Sequence, residues 1–534
     1  MSNHRILVAD PVSERGLEIL RNQPGFTVDL KPGMSESELI AAVADVDAVV
    51  VRSGVKITRT VMEAAPKLRV IGRAGVGVDN IDVPVASERG IVVMNTPAGN
   101  TISTAEHAFS LMLSLARQVP QAHTSVASGK WERKKFAGVE LHNKTLAVLG
   151  MGRIGSEFAR RAMAFGMRVL AYDPYLSASR AKLLRVELVN RIDDALAEAD
   201  FITMHLPLTP ETRHILNTQR LANLKPGVRI INCARGGLID EQALAAALEN
   251  GPVAGAALDV FETEPPGADH PLLSRQDVVL TPHLGASTAE AQETVGIEVA
   301  HAIRNYLVDG AVVNSVNMPS VDEKTLAQIG PFLQFGEMLG RLLSQIAPPR
   351  CEKLRIDYSG RLGDLDTTLI SRGVLKGFLE KAIGAHQVNV VNATSLAQNL
   401  GLRLTESRPA LGSEYADLIE VTAGADGDSA ELAGTFFGGD ARIVRVNGHR
   451  VEAKAEGTLL LLENTDKPGM IGAAGTLLGE KGINIAGMTL SREQVGGRAL
   501  VLLTLDSTPD DETLRALENV DGIEVARTLR TSAE

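Results

Sequence analysis

The sequence is poor in cysteine and in aromatic residues. Two of its 534 residues are cysteine, Cys233 and Cys351, and aromatic residues make up 3%, with Trp131 as the single tryptophan. Two cysteines without metal-ligand spacing predict neither a disulfide framework nor a metal site. With so few aromatic side chains, the hydrophobic cores must be built from Ala, Val, Leu and Ile.

Long apolar runs and a positive net charge are also missing. No run reaches the roughly 18 residues needed to span a bilayer, and a strand pattern at residues 6–9 leaves no room before it for a signal peptide. The formal net charge of −11 argues against nucleic acid or an anionic membrane as a general partner. We therefore expect a cytoplasmic protein, and its length predicts about three or four domains.

The most informative motif lies between two strand patterns. Residues 145–149 are a short apolar run, and residues 150–155 read Gly-Met-Gly-Arg-Ile-Gly. Residues 156–163 are then apolar at helical spacing, and a second strand pattern at 168–172 ends on Asp173. A GxGxxG motif alone is weak evidence, but the strand, helix and distal acid in this order predict a Rossmann domain.

The residue types of this motif also indicate the cofactor. The three glycines permit a tight turn and let a pyrophosphate approach the positive N-terminus of a helix. Asp173 can accept hydrogen bonds from the adenosine ribose hydroxyls, and its charge would repel a 2′-phosphate. The motif therefore favours NAD over NADP.

Strand patterns continue on both sides of this motif. Before it, residues 1 to about 98 alternate apolar strands with helices but lack the glycine fingerprint. After it, polar loops follow four strand patterns, at 201–204, 228–232, 255–259 and 278–281. Buried parallel strands have this apolar character, and ligands bind beyond their carboxyl ends. The sequence therefore predicts two α/β units, of which the second binds the nucleotide.

Three charged residues follow successive strand patterns in the nucleotide-binding half: Arg235, Glu264 and His283. Oxidation of an alcohol by NAD needs a base that takes the hydroxyl proton as the hydride leaves, and histidine titrates near neutral pH. A carboxylate hydrogen-bonded to the imidazole raises the pKa of the histidine. An arginine offers a planar fork for a substrate carboxylate and can polarise the neighbouring carbonyl in the reverse reaction. We therefore predict His283 as the base, Glu264 as its partner and Arg235 as the carboxylate clamp.

Each of these residues also has an ordinary structural interpretation. A lone histidine after a Thr-Pro turn is most often structural, a lone arginine among small residues is a surface charge, and a glutamate before proline is a turn residue. Their joint occurrence downstream of a dinucleotide fingerprint favours catalysis. Cys233 lies beside Arg235 and is predicted to be a small packing residue, because nothing nearby would activate its thiol.

Stretches of the first 315 residues carry a family resemblance. These stretches lie at 73–82, 95–100, 150–155, 205–212, 232–237 and 282–288. The first of them reads Arg-Ala-Gly-Val-Gly-Val-Asp-Asn-Ile-Asp. They resemble the D-2-hydroxyacid dehydrogenase family, and within it the long, multi-domain phosphoglycerate dehydrogenases. The resemblance implies the three catalytic roles given above. It also implies a discontinuous, flavodoxin-like substrate-binding domain at 1–98 and 283–315, and a Rossmann NAD-binding domain at 99–282.

The resemblance further implies which residues bind the ligands. For NAD they are Gly150, Gly152, Arg153, Ile154, Gly155, Asp173, Leu206, Pro207, Cys233, Ala234, Arg235, Asp259, His283, Gly285 and Ala286. For the substrate they are Arg52, Ser53, Arg73, Gly75, Val76, Asn100, Arg133 and Lys134. The last two lie in a segment, 131–136, that would bind a substrate phosphate from the neighbouring subunit. The charge pattern alone is equally typical of a solvated basic helix end.

The chain changes character after residue 315. Residues 316–455 contain two helical patterns and then strand patterns, at 418–422, 431–435 and 442–446, that indicate an antiparallel sheet. This α+β segment resembles the intervening domain of the longer phosphoglycerate dehydrogenases and is a candidate effector-binding domain. Residues 456–534 show a compact βαββαβ pattern.

The C-terminal segment resembles an ACT domain, a small amino-acid-sensing module, in its residues 464–470 and 482–486. The resemblance places effector ligands at Asn464, Asp466 and Asn484. In related dehydrogenases L-serine binds at paired ACT domains and inhibits. Asp466 can pair with an α-ammonium group, and the amides at the start of the following helix can bind a carboxylate. The alternative is that Asp466 only caps that helix.

Taken together, the resemblance implies NAD-dependent oxidation of 3-phosphoglycerate to 3-phosphohydroxypyruvate, the first step of serine biosynthesis. It also implies a homo-oligomer, a dimer or a tetramer, that is inhibited by L-serine. Two alternatives stay open. A glycerate or hydroxypyruvate reductase would keep Arg235, Glu264 and His283 but would need neither an ACT domain nor cations for a phosphate. An NADH-sensing, corepressor-like binding protein would not be expected to carry an amino-acid-binding domain.

Overall fold

Four β-sheets organise the chain. The structure is a computed structural model that describes residues 3–321, 323–409, 415–425 and 427–532. Two parallel sheets occupy the first three hundred residues, and two sheets with antiparallel pairing follow. The predicted α/β class, with a Rossmann unit and two smaller α+β domains after it, is confirmed.

The first sheet has five parallel strands in the order β2-β1-β3-β4-β5, which is the flavodoxin-like order. Its elements are β1 (His4–Val8), α1 (Glu14–Arg21), β2 (Phe26–Leu30), α2 (Glu36–Ala42), β3 (Ala48–Val51), α3 (Arg59–Glu63), β4 (Val70–Arg73), α4 (Val83–Glu88) and β5 (Val92–Met94). All four residues of β3 are buried, because helices cover both faces of a parallel sheet.

The second sheet has seven parallel strands in the order β12-β11-β10-β9-β6-β7-β8. Its helices are α5 (Thr101–Arg117), α6 (Val119–Ala127), α7 (Arg153–Ala164), α8 (Ala178–Leu184), α9 (Ile192–Glu198), α10 (Thr218–Ala222) and α11 (Glu241–Asn250). Its strands are β6 (Thr145–Leu149), β7 (Arg168–Tyr172), β8 (Glu187–Leu188), β9 (Phe201–Met204), β10 (Val228–Asn232), β11 (Val253–Leu258) and β12 (Val278–Leu280). The strand order reverses between β6 and β9, and open α/β sheets bind their ligands at such a point.

After β12 the chain returns to the first sheet. The long helix α12 (Ala289–Asp309) buries Val295, Val299 and Ile303 in the same core as β1 and β4. A Cβ atom on Gly16 of α1 would lie 2.5 Å from the carbonyl oxygen of Gly296, so these two helices cross in close contact. The chain therefore passes from one sheet to the other twice, before α5 and before α12, and a cleft lies between the two sheets.

The third sheet has the order β14-β13-β15-β16-β17-β18. Its elements are α13 (Glu323–Ile346), β13 (Lys353–Gly360), a 3₁₀ turn (Arg361–Asp364), α14 (Thr368–Ile383), α15 (Ala393–Asn399), β14 (Arg403–Ser407), β15 (Asp417–Ala425), β16 (Asp428–Phe437), β17 (Asp440–Val446) and β18 (His449–Lys454). The antiparallel strands β15 to β17 are as predicted, whereas β13, β14 and β18 were not predicted. Helices α13 and α14 pack closely because Gly340 and Gly377 face partner backbone that a Cβ would approach within 2.0 Å.

The fourth sheet has the order β20-β21-β19-β22. Its elements are β19 (Thr458–Thr465), α16 (Met470–Glu480), β20 (Ile485–Arg492), β21 (Arg498–Leu505), α17 (Asp511–Glu518) and β22 (Ile523–Arg530), which is the predicted βαββαβ pattern. Along β19, Leu460 and Leu462 pack beneath the helices, while Leu459 and Leu461 face the core that contains α13. Both faces of β19 are therefore buried, whereas the edge strand β20 has alternate residues exposed.

Within the described part of the chain, no helix is long and apolar enough to cross a membrane.

Candidate active site

The cleft between the first two sheets brings most of the predicted site residues together. Its volume is about 570 Å³. The predicted residues that line it are Arg52, Ser53, Arg73, Gly75, Val76, Asn100, Ile154, Leu206, Pro207, Cys233, Ala234, Arg235, Asp259, His283, Gly285 and Ala286. These residues come from loops at the carboxyl ends of strands in both sheets.

His283 and Glu264 form a hydrogen-bonded pair beside this cleft. The Nδ1 atom of His283 lies 2.8 Å from Oε2 of Glu264, and the side chains are 49% and 39% exposed. The other carboxylate oxygen of Glu264 accepts a hydrogen bond from the amide of Phe261 at 3.1 Å. Since Nδ1 is engaged, Nε2 is the ring nitrogen of His283 that can exchange a proton with a ligand.

The pair shifts the pKa values of both partners. The hydrogen bond to Glu264 raises the pKa of His283, and burial and the charge of Arg235 oppose this rise only in part. Burial acts to raise the pKa of Glu264, but the hydrogen bonds from His283 and the Phe261 amide outweigh it and lower that pKa. The arrangement therefore stabilises the imidazolium form of His283.

The backbone of His283 also has an unusual conformation. Its φ is 56°, in the left-handed region that non-glycine residues rarely adopt. Its amide donates to the carbonyl oxygens of Asp259 and Thr281 at 2.8 and 3.1 Å. These bonds hold the residue in that conformation and aim its ring at the cleft, as strained residues at functional sites often are held.

Arg235 is held by a residue that sequence reasoning missed. Its Nε donates to Oδ2 of Asp79 at 3.0 Å, and Nη1 donates to the carbonyl oxygen of Ala234 at 2.6 Å. Asp79 follows β4 of the first sheet, so this ion pair spans the cleft. Asp79 lies in the stretch 73–82 that carries the family resemblance, which could have marked it as a site residue. No pattern within that stretch shows which residue the carboxylate of Asp79 contacts.

Two further arginines, Arg73 and Arg52, line the cleft. Arg73 is largely buried, and burial together with the charges of Arg235 and Arg52 lowers its pKa to about 10. The amide of Arg52 donates to the carboxylate of Asp10 at 2.7 Å, which fixes the backbone that carries the side chain. Three guanidinium groups around one cleft fit a ligand that carries more than one negative charge.

The dinucleotide fingerprint has the expected local geometry. A Cβ atom on Gly155 would lie 2.1 Å from the carbonyl oxygen of Gly150, so only glycine fits there. A Cβ on Gly152 would meet open space, which leaves the N-terminus of α7 accessible to a phosphate. Asp173 accepts hydrogen bonds from the amides of Met151 and Tyr175, each at 2.8 Å. A carboxylate has about four acceptor sites, so Asp173 can still accept from a ribose, and these residues fit NAD.

Asp259 is fully buried at the base of the cleft. It accepts hydrogen bonds from Thr281 at 2.6 Å and from the amides of Leu284 and Gly285 at 2.7 and 2.9 Å. Burial opposes ionisation, but these bonds and His107, whose Nε2 lies 3.1 Å away, lower the pKa of Asp259. His107 lies on α5 and was not among the predicted residues.

Two other side chains near the cleft are uncharged. Burial raises the pKa of Cys233 well above its usual value, in accord with the predicted packing role. Burial also lowers the pKa of His205 to about 3, so its imidazole is neutral. His205 lines the cleft but was not predicted to be a site residue.

Some predicted site residues lie elsewhere. Arg133 and Lys134 are exposed, and they do not line the cleft of their own chain. Within the ACT domain, Asn464 lies near the end of β19. Asn484 contacts Asp506 and lies near Thr458, at the start of β19. At ~3.3 Å per residue along the strand, the two asparagines are about 20 Å apart. Asp466 accepts from Arg492 at 2.9 Å and from the Gly496 amide at 3.1 Å. One chain therefore does not bring the three predicted effector ligands together.

Known proteins resemble the whole chain. Three family models match it: the D-isomer specific 2-hydroxyacid dehydrogenase NAD binding domain at 109–285, the D-3-phosphoglycerate dehydrogenase intervening domain at 328–447 and the ACT domain at 458–522. The D-3-phosphoglycerate dehydrogenases of Archaeoglobus fulgidus and Methanocaldococcus jannaschii are 44% and 43% identical to it. Each alignment covers 97% of this chain and 98% of the relative.

Among solved structures, D-lactate dehydrogenase from Aquifex aeolicus, complexed with NAD and lactic acid, is 28% identical with a TM-score of 0.52. The match covers 59% of this chain and 100% of that chain. The chain therefore belongs to the D-3-phosphoglycerate dehydrogenases, a group of NAD-dependent 2-hydroxyacid dehydrogenases with an intervening domain and an ACT domain.

Proposed function

We propose that this enzyme oxidises 3-phosphoglycerate to 3-phosphohydroxypyruvate with NAD. The observation that carries the proposal is the convergence of the His283–Glu264 pair and three arginines on one cleft beside the dinucleotide loop. A phosphorylated hydroxy acid carries a carboxylate and a phosphate, and the cleft offers Arg235, Arg73 and Arg52 to balance them.

The proposed mechanism assigns one role to each residue. Residues 150–155 and Asp173 would hold NAD, which would supply the acceptor for the hydride that leaves C2 of the substrate with the electron pair of its C–H bond. His283 takes the hydroxyl proton on Nε2, and the electrons of the O–H bond form the carbonyl. Glu264 stabilises the imidazolium that results, and Arg235 holds the substrate carboxylate. In the reverse reaction the imidazolium returns its proton to the carbonyl oxygen.

The test is NADH-linked turnover of 3-phosphohydroxypyruvate against hydroxypyruvate. A strong preference for the phosphorylated acid supports the proposal, and equal rates would favour a general hydroxypyruvate reductase. His283→Gln keeps a side chain of similar shape but removes the titratable base, and general acid–base catalysis contributes about 100-fold to 10,000-fold. Wild-type turnover by this variant would refute the catalytic role of His283, whereas absence of turnover in the wild-type protein would favour a binding protein.

We further propose that Arg133 and Lys134 bind the substrate phosphate in the cleft of a neighbouring copy of the chain. Their exposure and their distance from their own cleft support this proposal. The double variant R133A/K134A should raise KM for 3-phosphohydroxypyruvate and leave KM for hydroxypyruvate unchanged. Equal effects on both substrates would contradict a phosphate-specific contact.

We also propose that L-serine is the effector and that it binds between the ACT domains of two chains. The separation of Asn464 from Asn484 within one domain supports this arrangement, because a small amino acid cannot span about 20 Å. Titration of turnover with L-serine, together with sedimentation analysis, tests it. The proposal is supported if L-serine inhibits an oligomer and if Asp466→Ala weakens that inhibition. Inhibition of a monomer would refute it.

A further inference from the structure

The segment that carries Glu264 lacks regular secondary structure. This segment, residues 261–270, follows β11 and is here named the acid loop; all of its residues from 262 to 269 except Pro266 are exposed. Beside it lies an apolar hollow of about 510 Å³ whose walls include Phe261, Pro265, Leu273 and Leu280, together with Glu264 and His283. The exposed loop is also held by polar contacts.

A single carboxylate supplies those contacts at both ends of the acid loop. Glu241, the first residue of α11, has a side chain that is 10% exposed. Its Oε1 accepts from the amide of Glu262 at 2.8 Å, and its Oε2 lies 2.8 Å from Nε2 of His270. Nδ1 of His270 accepts from the amide of Leu272 at 3.4 Å, so Nε2 carries the proton and donates to Glu241.

The two residues are set apart from the reacting groups. Neither Glu241 nor His270 lines the cleft or the apolar hollow. The His270 ring packs edge-to-face on Phe261, with 5.8 Å between the ring centroids. Since the amide of Phe261 also donates to Glu264, the position of Glu264 depends on where this end of the loop is held.

We propose that Glu241 and His270 are positioning residues that fix the acid loop so that Glu264 reaches His283. The inference deepens the proposed function and rests on it. Its consequence is that substitutions at Glu241, away from the substrate, change the protonation of His283. The charged groups that face His283 are Glu264 and Asp259, which raise its pKa, and Arg235, which lowers it. Withdrawal of Glu264 would therefore lower the pKa of His283.

Two substitutions of Glu241 remove its contacts with the acid loop to different extents. Glu241→Gln keeps an oxygen for the Glu262 amide but turns an N–H group toward His270, whereas Glu241→Ala removes both bonds. Because a misplacement of about 1 Å can cost ~100-fold in rate, we expect E241A to lower kcat/KM for 3-phosphohydroxypyruvate by about 10-fold to 100-fold, with E241Q between it and the wild type. The alkaline limb of the reduction should move to lower pH in the same order, because reduction needs the imidazolium.

Asp200→Asn is the matched control. Asp200 accepts from a backbone amide, that of Thr145, at 2.9 Å and from Lys225 at 2.8 Å. It lies in the same domain but at the amino ends of β6 and β9, away from the cleft. We expect D200N to lower the melting temperature as E241Q does and to leave the pH profile unchanged.

The deciding measurement is an NMR titration of His283 in ¹³C-histidine-labelled full-length enzyme, with its signal assigned from the spectrum of H283Q. A lower pKa of His283 in E241A than in the wild type and D200N supports the positioning role. An unchanged His283 titration in E241A would overturn it, even if the variant unfolds at lower temperature. Absence of wild-type turnover would overturn the proposed function instead, so the two failures are distinguishable.

Discussion

Gly236 lets the loop that carries Arg235 lie against the acid loop, and its replacement is the sharpest test of the site geometry. A Cβ atom at position 236 would lie 1.8 Å from the carbonyl oxygen of Phe261 and 2.7 Å from the amide nitrogen of Glu262. Ordinary van der Waals contact begins at 3.4 Å, and both atoms are backbone atoms that cannot rotate away. Gly236→Ala must therefore separate the two loops by the difference between 3.4 and 1.8 Å, about 1.6 Å.

This separation moves Arg235 relative to Glu264 and so disrupts the proposed catalytic arrangement. A misplacement of about 1 Å can cost ~100-fold in rate, so we expect kcat/KM for 3-phosphohydroxypyruvate to fall at least that far. The expected cost in stability is about 1–3 kcal/mol, as for other overpacked sites, which is less than the total stability of about 5–15 kcal/mol typical of a folded protein. Most of the protein should therefore stay folded while its activity is lost.

The neighbouring Gly237 provides the control. Its φ is +80°, and a Cβ there would meet no described atom closer than 3.4 Å. Gly237→Ala therefore strains the backbone by about 1–2 kcal/mol without pushing the acid loop. NADH-linked assays and thermal unfolding of both variants separate the two effects. Near-wild-type kcat/KM for G236A, or an equal loss in G237A, would refute the reasoning.

Three further predictions follow from other contacts. Glu264→Gln removes the negative charge beside His283, so the pKa of His283 falls and the alkaline limb of 3-phosphohydroxypyruvate reduction moves to lower pH; an unmoved limb in the rate profile would contradict the pairing. Asp173→Ala removes the charge that repels a 2′-phosphate, so kcat/KM should rise with NADP and fall with NAD, and a variant that keeps the wild-type preference would show that other groups select the cofactor. Asn389→Ala removes the 2.9 Å hydrogen bond to the carbonyl oxygen of Gly90 between the third domain and the first, together with the two bonds that its Oδ1 accepts from the amides of Val391 and Asn392. At about 1 kcal/mol for each bond, the variant should lose roughly 3 kcal/mol of stability in denaturant unfolding and keep the wild-type kcat; a large loss of kcat would indicate that this contact transmits to the cleft.

Local sequence patterns were sufficient to predict the elements in which apolar residues recur with the period of a strand or a helix. The strands of the two parallel sheets other than β2 and β8, the glycine loop at 150–155 and the βαββαβ pattern of the last domain were predicted and are confirmed. In contrast, β13 and β14 were missed. Lys353 and Arg355 alternate with buried apolar residues along β13, which is a strand pattern that sequence reasoning overlooked. The partner β14 pairs in parallel with β13 from about fifty residues away, and no local pattern shows that pairing.

The sequence by itself determined the NAD-binding motif, the order of the resembling domains and the choice of Arg235, Glu264 and His283 as the predicted catalytic residues, because these depend on short spacings that survive as patterns. Only the tertiary structure decided which groups hold them in place. Asp79 meets Arg235 from 156 positions away, and Glu241 ties down the loop that carries Glu264. The physical reason is that a hydrogen bond depends on distance and direction in space, which the packing of two sheets sets and which no periodicity along the chain records.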